Sequence, residues 1–275
     1  MRVHRIQTGT VVIKAAQHSL RGPDKLRFVA VVLGRTFTAA LPINTWLIEH
    51  NDGLIMVDTG ELAAASDVSF FENDRDYRLI MRYARTPRFQ INREDELGAQ
   101  LKRMGIDSKK DVRKVVLTHL HSDHADGLRF FPNAEICIAR PEFARTHAAF
   151  PTTWPIWFRP SLFDFDAAPY GAFNQSHALT DDGTVFAVPT PGHTFGHTSV
   201  IVRGDPDIML AGDASYSESQ LLRGEPAGTV ADVALARSTL ATIRQHLAQT
   251  PSVYLPSHDP DAGARLERLQ ITAGV

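Results

Sequence analysis

Residues 115 to 127 limit what this chain can fold into more than any other stretch. Val115-Val116-Leu117 is an unbroken apolar run of the kind a buried strand shows. It ends abruptly at Thr118-His119-Leu120-His121-Ser122-Asp123-His124-Ala125-Asp126-Gly127, which reads as a loop leading into a helix. Alternate residues of extended backbone point the same way, so His119 and His121 can converge on one ion. A turn after His121 lets Asp123 and His124 face a second point nearby. Imidazole and carboxylate are ligands for zinc, iron, cobalt or manganese at neutral pH. A solvated loop would account for one or two histidines, but three of the chain's twelve stand here.

The same arrangement recurs three times. Thr190-Pro191-Gly192-His193-Thr194-Phe195-Gly196-His197-Thr198 follows the apolar run 184–188. Asp213 ends Met209-Leu210-Ala211-Gly212, with Ala214-Ser215-Tyr216 behind it. His258 stands just past Leu255-Pro256-Ser257. Each candidate ligand sits at the end of a strand-like segment, where α/β folds keep their sites.

The rest of the chain alternates accordingly. Runs at 11–13 and 28–33 read as strands separated by a turn at 21–24. Ile43–Glu49 and Leu54–Val57 flank Asn51-Asp52-Gly53 as a hairpin. Residues 66–84 are weakly helical. Glu94–Met104 is a helix stopped by Gly105, and 134–139 is a strand. Pro141–His147 is a short helix ending in a surface or capping histidine. Residues 231–249 form the strongest helix, with His246 on its exposed side. The strand 198–202 pairs with 208–211, and the strand 252–256 and a short helix close the chain. Asp58, at the end of the second hairpin strand, could simply start a turn. Residues 148–173 crowd eight aromatic side chains among four prolines. Such an insert suits a pocket wall or a dimer contact better than plain packing. No internal repeat or linker divides the chain, so one domain over 1–275 is expected.

Composition narrows the function. A formal charge of −2 gives no basic footprint for nucleic acid. The single cysteine, Cys137, lies in an alternating strand pattern, which excludes an internal disulfide and suits a buried structural thiol. No run approaches the ~18 apolar residues of a membrane span, and the N-terminal residues lack a signal-peptide core. A cytoplasmic protein is the expectation. There is no Gly-x-Ser-x-Gly elbow to support a serine nucleophile.

The His-x-His-x-Asp-His motif at 119–124, followed in order by His193, Asp213 and His258, resembles the metallo-β-lactamase superfamily. The likeness runs from about Asn44 to His258. Within that superfamily, the segments Pro191–His197 and Asp213–Tyr216 are most similar to N-acyl-homoserine lactone lactonases, the quorum-quenching enzymes. The resemblance implies an αββα four-layer sandwich, where periodicity alone gives only α/β. It implies two divalent metals, with zinc first among the candidates. His119, His121 and His193 would hold one, Asp123, His124 and His258 the other, and Asp213 would bridge them. A hydroxide held between two such metals would attack the lactone carbonyl. Tyr216 would hydrogen-bond that carbonyl, although a lone tyrosine is also an ordinary packed aromatic. Asp123 would pass a proton to the leaving oxygen. Asp58 would orient a ligand histidine, and His197 would act behind the ligands. The expected partner is a small-molecule lactone, with a homodimer as the expected assembly.

Other readings share the site. Glyoxalase-II-like thioesterases and aryl- or phosphoester hydrolases carry nearly the same ligands, and Tyr216 with the aromatic insert favours the lactonase. Cys137 is misplaced for the cysteine ligand of β-lactamases proper. No flavin-binding domain follows His258, as diiron redox relatives would have, and nucleases would be more basic. A ligand-binding effector that kept the fold but lost turnover is the non-enzyme alternative, and the complete ligand set weighs against it.

Overall fold

The computed structural model describes residues 1–19 and 23–274. Its elements run β1 (Arg2–Val12), α1 (Ala15–His18), α2 (Arg27–Leu33), β2 (Leu41–His50), β3 (Gly53–Val57), α3 (Arg75–Tyr83), β4 (Arg88–Gln90) and α4 (Leu97–Arg103). There follow β5 (Val112–Val116), α5 (Ser122–Ala125), β6 (Glu135–Ala139), α6 (Arg140–Ala144), β7 (Ser161–Phe163), β8 (His177–Ala178) and β9 (Val185–Pro189). The chain closes with β10 (Thr198–Val202), β11 (Asp207–Gly212), α7 (Glu218–Arg223), α8 (Val233–Gln249), β12 (Ser252–Pro256) and α9 (Ala262–Glu267).

Two mixed sheets form, in the orders β4-β1-β2-β3-β5-β6-β7 and β12-β11-β10-β9-β8. The two-residue side-chain period decides how they stack. Trp46, Ile48, Ile55, Val57 and Val116 of the first sheet meet Val185, Ala187, Val200, Val202, Leu210, Val253 and Leu255 of the second in one buried cluster. The intervening residues face outward. Leu47, Met56 and Val115 pack under Leu97 and Leu101 of α4. Phe186, Ile201, Met209 and Tyr254 pack under Leu240, Ile243 and Leu247 of α8. Apolar residues on both faces of the central strands therefore require helices outside both sheets, which is the αββα sandwich. Cys137 is buried in β6, and its thiol is pushed up to about 12 by burial, with Glu135 adding to the effect.

The hairpin, the 198–202 with 208–211 pairing and the long C-terminal helix form as expected. Several local expectations are corrected. The run 28–33 lies in α2, a helix, not a strand. Its β-branched residues are overruled because Lys14 Nζ donates to the carbonyls of Val31 and Val32 at 2.8 and 2.9 Å, satisfying groups left open at the helix end. The turn expected at 21–24 falls partly on residues 21 and 22, outside those described. Residues 63–71 form two 3-10 turns before α3, so the helix expected over 66–84 is confined to its second half. The helix expected at 94 begins at Leu97 and ends before Gly105, whose φ of +79° lets the chain turn away.

The aromatic insert divides. Phe150 joins a cluster with Phe71 and Tyr77. Trp154, Trp157 and Phe158 pack on the first sheet's outer cluster, and Phe163 pairs its backbone through β7. Phe173 packs under α8. Most of the insert is therefore packing, and only its beginning reaches the site. His246 is also corrected: it is fully buried, against the rings of Tyr170 and Phe173.

Candidate metal centre

The site is assembled from the ends of strands in both sheets. After β5 the chain enters α5 with His121 as its N-cap residue, placing His119, His121, Asp123 and His124 within one turn and a half. The loop after β9 brings His193. The end of β11 brings Asp213, and the end of β12 brings His258. His119, His121, His193 and Asp213 form one group, and Asp123, His124 and His258 a second. Within each group one ligand atom per residue lies within 4.8 Å of the others. Asp213 stands between the groups. Its Oδ2 is 3.3 Å from both His193 Nε2 and His258 Nε2, and its Oδ1 is 3.4 Å from His124 Nε2.

Partners behind four of the rings dictate where the imidazole carries its proton, while His193 Nδ1 is buried without a partner among the described residues. His121 Nε2 donates to the His147 carbonyl at 3.0 Å, leaving Nδ1 bare. Thr118 Oγ1 donates to Asp58 and so accepts from His119 Nδ1 at 3.0 Å, which leaves His119 Nε2 bare. His124 Nδ1 donates to Asp58 Oδ2 at 2.8 Å, and His258 Nδ1 to the Pro42 carbonyl at 2.8 Å. Lone pairs therefore face each other at His119 Nε2 and His121 Nδ1, 3.0 Å apart, and His193 Nε2 also lies 3.0 Å from His121 Nδ1. His124 Nε2 and Asp213 Oδ1 are buried without any hydrogen-bond partner among the described residues. Ring nitrogens and carboxylate oxygens crowded this way fit divalent cations.

Electrostatics agrees. Burial, reinforced by neighbouring rings, holds His119 and His193 well below the usual histidine range and His121 down to about 3. Burial opposes charge on His124 and His258 as well. There the carboxylates override it, Asp213 first, and hold both rings above the usual value. Asp213 is held well below the carboxylate range despite burial, by His258 and His124. A cation in this cluster takes the place of those protons.

The supporting residues are specific. Asp58 sits at φ +61°, a left-handed conformation that Asp and Asn tolerate better than other side-chain-bearing residues. It accepts from Thr118 N, Thr118 Oγ1 and His124 at 2.8, 2.9 and 2.8 Å. His197 accepts from the backbone N–H of Asp213 at 2.9 Å and donates its Nδ1–H to Thr190. Burial keeps its ring neutral, down to about 4. Gly192 has φ +136°, and a Cβ there would lie 2.4 Å from the Ala236 backbone, so only glycine lets the His193 loop approach α8.

Three contributors escaped sequence reasoning. Glu142 accepts from Leu120 N, Thr194 Oγ1 and Gly196 N at 3.1, 2.6 and 3.1 Å, tying the His119–His121 loop to the His193–His197 loop. Nothing in Arg140-Pro-Glu-Phe marks it. Behind α5, Glu61 and Asp126 are buried acids close enough to raise each other's charge cost, and burial pushes Asp126 up to about 7. His147, expected on the surface or as a cap, lines the cavity, and burial lowers its ring.

That cavity, about 380 Å³, starts at His121, Asp123, Asp213 and His258 and continues between Ile13, Val31, Ile80 and Phe150. Tyr216 is buried at its polar end, with ring centroids 5.2 Å from His258 and 5.9 Å from His193. Burial and the carboxylates of Asp213 and Asp123 raise its phenol well above the ordinary value, so it is a proton donor at neutral pH.

This fold and site define a metallo-hydrolase. The chain belongs to the Metallo-beta-lactamase superfamily, whose pattern matches residues 38–258. It is 27% identical to the N-acyl homoserine lactonase AttM of Agrobacterium fabrum, over 98% of this chain and 97% of that protein. It is 26% identical to an N-acyl homoserine lactonase of Bacillus cereus, over 80% and 82% of the two chains. Among solved structures it resembles an N-acyl homoserine lactone hydrolase with N-hexanoyl-L-homoserine bound at its metal centre. That match has a TM-score of 0.75 at 20% identity, covering 94% of this chain and 93% of that one.

Proposed function

We propose that this chain is a dinuclear metal-dependent hydrolase that opens the lactone ring of N-acyl-homoserine lactones, the whole chain acting as one unit. The observation that carries the reading is the joining of a complete seven-residue donor set, with Tyr216 beside it, to an apolar cavity. Full-length similarity to proteins named N-acyl homoserine lactonase supports the substrate.

His119, His121 and His193 would hold one cation, Asp123, His124 and His258 the other, and Asp213 both. Two divalent ions bound there, zinc first among them, supply an activated water near neutral pH and polarisation of the scissile carbonyl. The remaining work falls to side chains. Tyr216 donates to the substrate carbonyl oxygen and stabilises charge that grows on it. Asp123, half-buried at the cavity as His121 is while the other five are buried, delivers a proton to the departing ring oxygen. Asp58 and His197 hold His124 and the Asp213 backbone in place. The apolar walls exclude water and hold the acyl chain. A cytoplasmic location belongs to the same reading, supported by the single reduced cysteine.

The test is pH-monitored hydrolysis of short- and long-chain N-acyl-homoserine lactones beside a thioester and a phosphotriester, with metal content measured on the same sample. Rapid acid release from the lactones with two metals per chain is expected. Thioester or phosphotriester turnover without lactone turnover would discard the substrate. A fully metallated protein inert to all of them would leave a binding role.

A further inference from the structure

The mouth of the apolar cavity is built from two segments of the same character. Phe28, Val31 and Val32 of α2 and Leu79 and Ile80 of α3 line it together. Beyond the mouth, α2 and the residue before it turn apolar side chains to the outside, with Phe28 72% and Leu33 71% exposed and Leu26 and Val29 about half exposed. These belong to no core cluster. Single exposed apolar residues are ordinary, but five on two adjoining segments, Leu79 included, form a patch.

The surroundings of the patch are cationic. Lys25 and Arg35 flank α2, Arg27 begins it with its Nη1 buried at the cavity, and Arg75, Arg78 and Arg85 belong to α3 and its end. The two segments are close, since Lys14 binds the end of α2 and feels the positive charge of Arg85 and Arg88. Arg88 also stacks over Phe37, 4.1 Å from the ring centroid. Of the acids beside them, Asp24 is paired with Arg237, Asp74 is buried with Oδ1 accepting from Tyr77 N, Glu72 is exposed, and Asp76 offsets one positive charge of α3 in the sequence. A net charge of −2 over the chain thus conceals a local excess of cations at the cavity mouth.

Exposed apolar side chains ringed by arginine and lysine match an interfacial anchor: the former enter the headgroup–acyl boundary and the latter meet lipid phosphates. We propose that this face docks on an anionic lipid bilayer, with Leu33, Val29 and Leu26 inserted and the α2 and α3 cations against the headgroups. The cavity mouth then opens onto the lipid. No described helix is long and apolar enough to cross a membrane, so the contact is peripheral and reversible. Its consequence, that long-acyl substrates enter from the lipid, rests on the lactonase reading. The docking does not.

The experiment is co-sedimentation of the metal-loaded protein with vesicles of phosphatidylcholine alone and of phosphatidylcholine mixed with phosphatidylglycerol. Binding to the mixed vesicles only, weakened by salt, is expected. Each cation removed lowers the partition about fivefold, so Arg75→Gln with Arg78→Gln lowers it about 25-fold. Val29→Ser with Leu33→Ser removes binding while short-chain lactone turnover in free solution is unchanged. Absence of sedimentation by folded protein at low salt overturns the docking, as does binding indifferent to both double variants. So does a dimer in light scattering that Val29→Ser with Leu33→Ser dissociates, because a second copy would then cover the patch. Vesicle binding without lactone hydrolysis upholds the docking and removes the lactonase reading, and hydrolysis without vesicle binding does the reverse.

Discussion

Asp58→Asn isolates the control of histidine protonation in this site. In the native chain both carboxylate oxygens of Asp58 accept, one from Thr118 N and the other from Thr118 Oγ1 and His124 Nδ1. Asparagine keeps the shape and tolerates the φ of +61° as aspartate does, so the backbone is not the variable. Its amide oxygen can still accept from Thr118 N, but its NH₂ then confronts two donors. The relief available to His124 is to move its proton from Nδ1 to Nε2, the atom 3.4 Å from Asp213 that should receive a metal. A hydrogen bond to a charged group is worth ~1.5–3 kcal/mol. Losing the partner that orients a ligating histidine costs about 10–100-fold in metal affinity, or ~1.4–2.8 kcal/mol. The two routes agree. Titration of the metal-free variant against a chromophoric chelator should show one site weakened about 10–100-fold and the other near native. Hydrolysis should recover with excess metal. Two sites of native affinity would refute the argument from Asp58 to His124.

Other consequences can be checked alongside. Tyr216→Phe should keep its metal and lose about a hundredfold to a thousandfold in kcat, the range for removing one donor to a developing oxyanion, and unchanged kinetics would take Tyr216 out of the mechanism. His121→Ala should lose a metal as well as activity, measured by elemental analysis, and a variant with two metals per chain would contradict the ligand assignment. His246→Leu addresses pH. Both nitrogens of His246 are buried without partners among the described residues and burial lowers its ring below 6.5, so the unfolded chain takes up a proton that the folded chain refuses. Stability is fully present above about pH 6.5 and falls below it, by up to ~1.4 kcal/mol per pH unit for one proton. The variant should match the native Tm near pH 8 and lose part of the acid decline, whereas parallel Tm curves would show that His246 contributes nothing.

Much of the site was legible because ligand chemistry restricts residue type and strand ends restrict position. His119, His121, Asp123, His124, His193, Asp213 and His258 could each be picked out from an apolar run ending in a ligand. Their meeting point could not be read that way. It depends on two sheets stacking so that β5, β9, β11 and β12 end on one edge, a long-range packing outcome to which each strand contributes only its alternation. For the same reason Glu142 and the carbonyls of Pro42 and His147 were invisible, since their roles are defined by what faces them across the fold.

The sequence by itself determined which groups can bind metal, the alternation of strands and helices that makes the chain α/β, and the ends of apolar runs where the ligands stand. Tertiary structure alone decided which imidazole nitrogen carries each proton, that the β-branched run 28–33 becomes a helix, and that His246 is buried rather than exposed. It also gathered the cations and apolar side chains of α2 and α3 around one cavity mouth. Local preferences of a few tenths of a kcal/mol per residue yield to burial and hydrogen bonding worth several times more, and those exist only once distant segments have met.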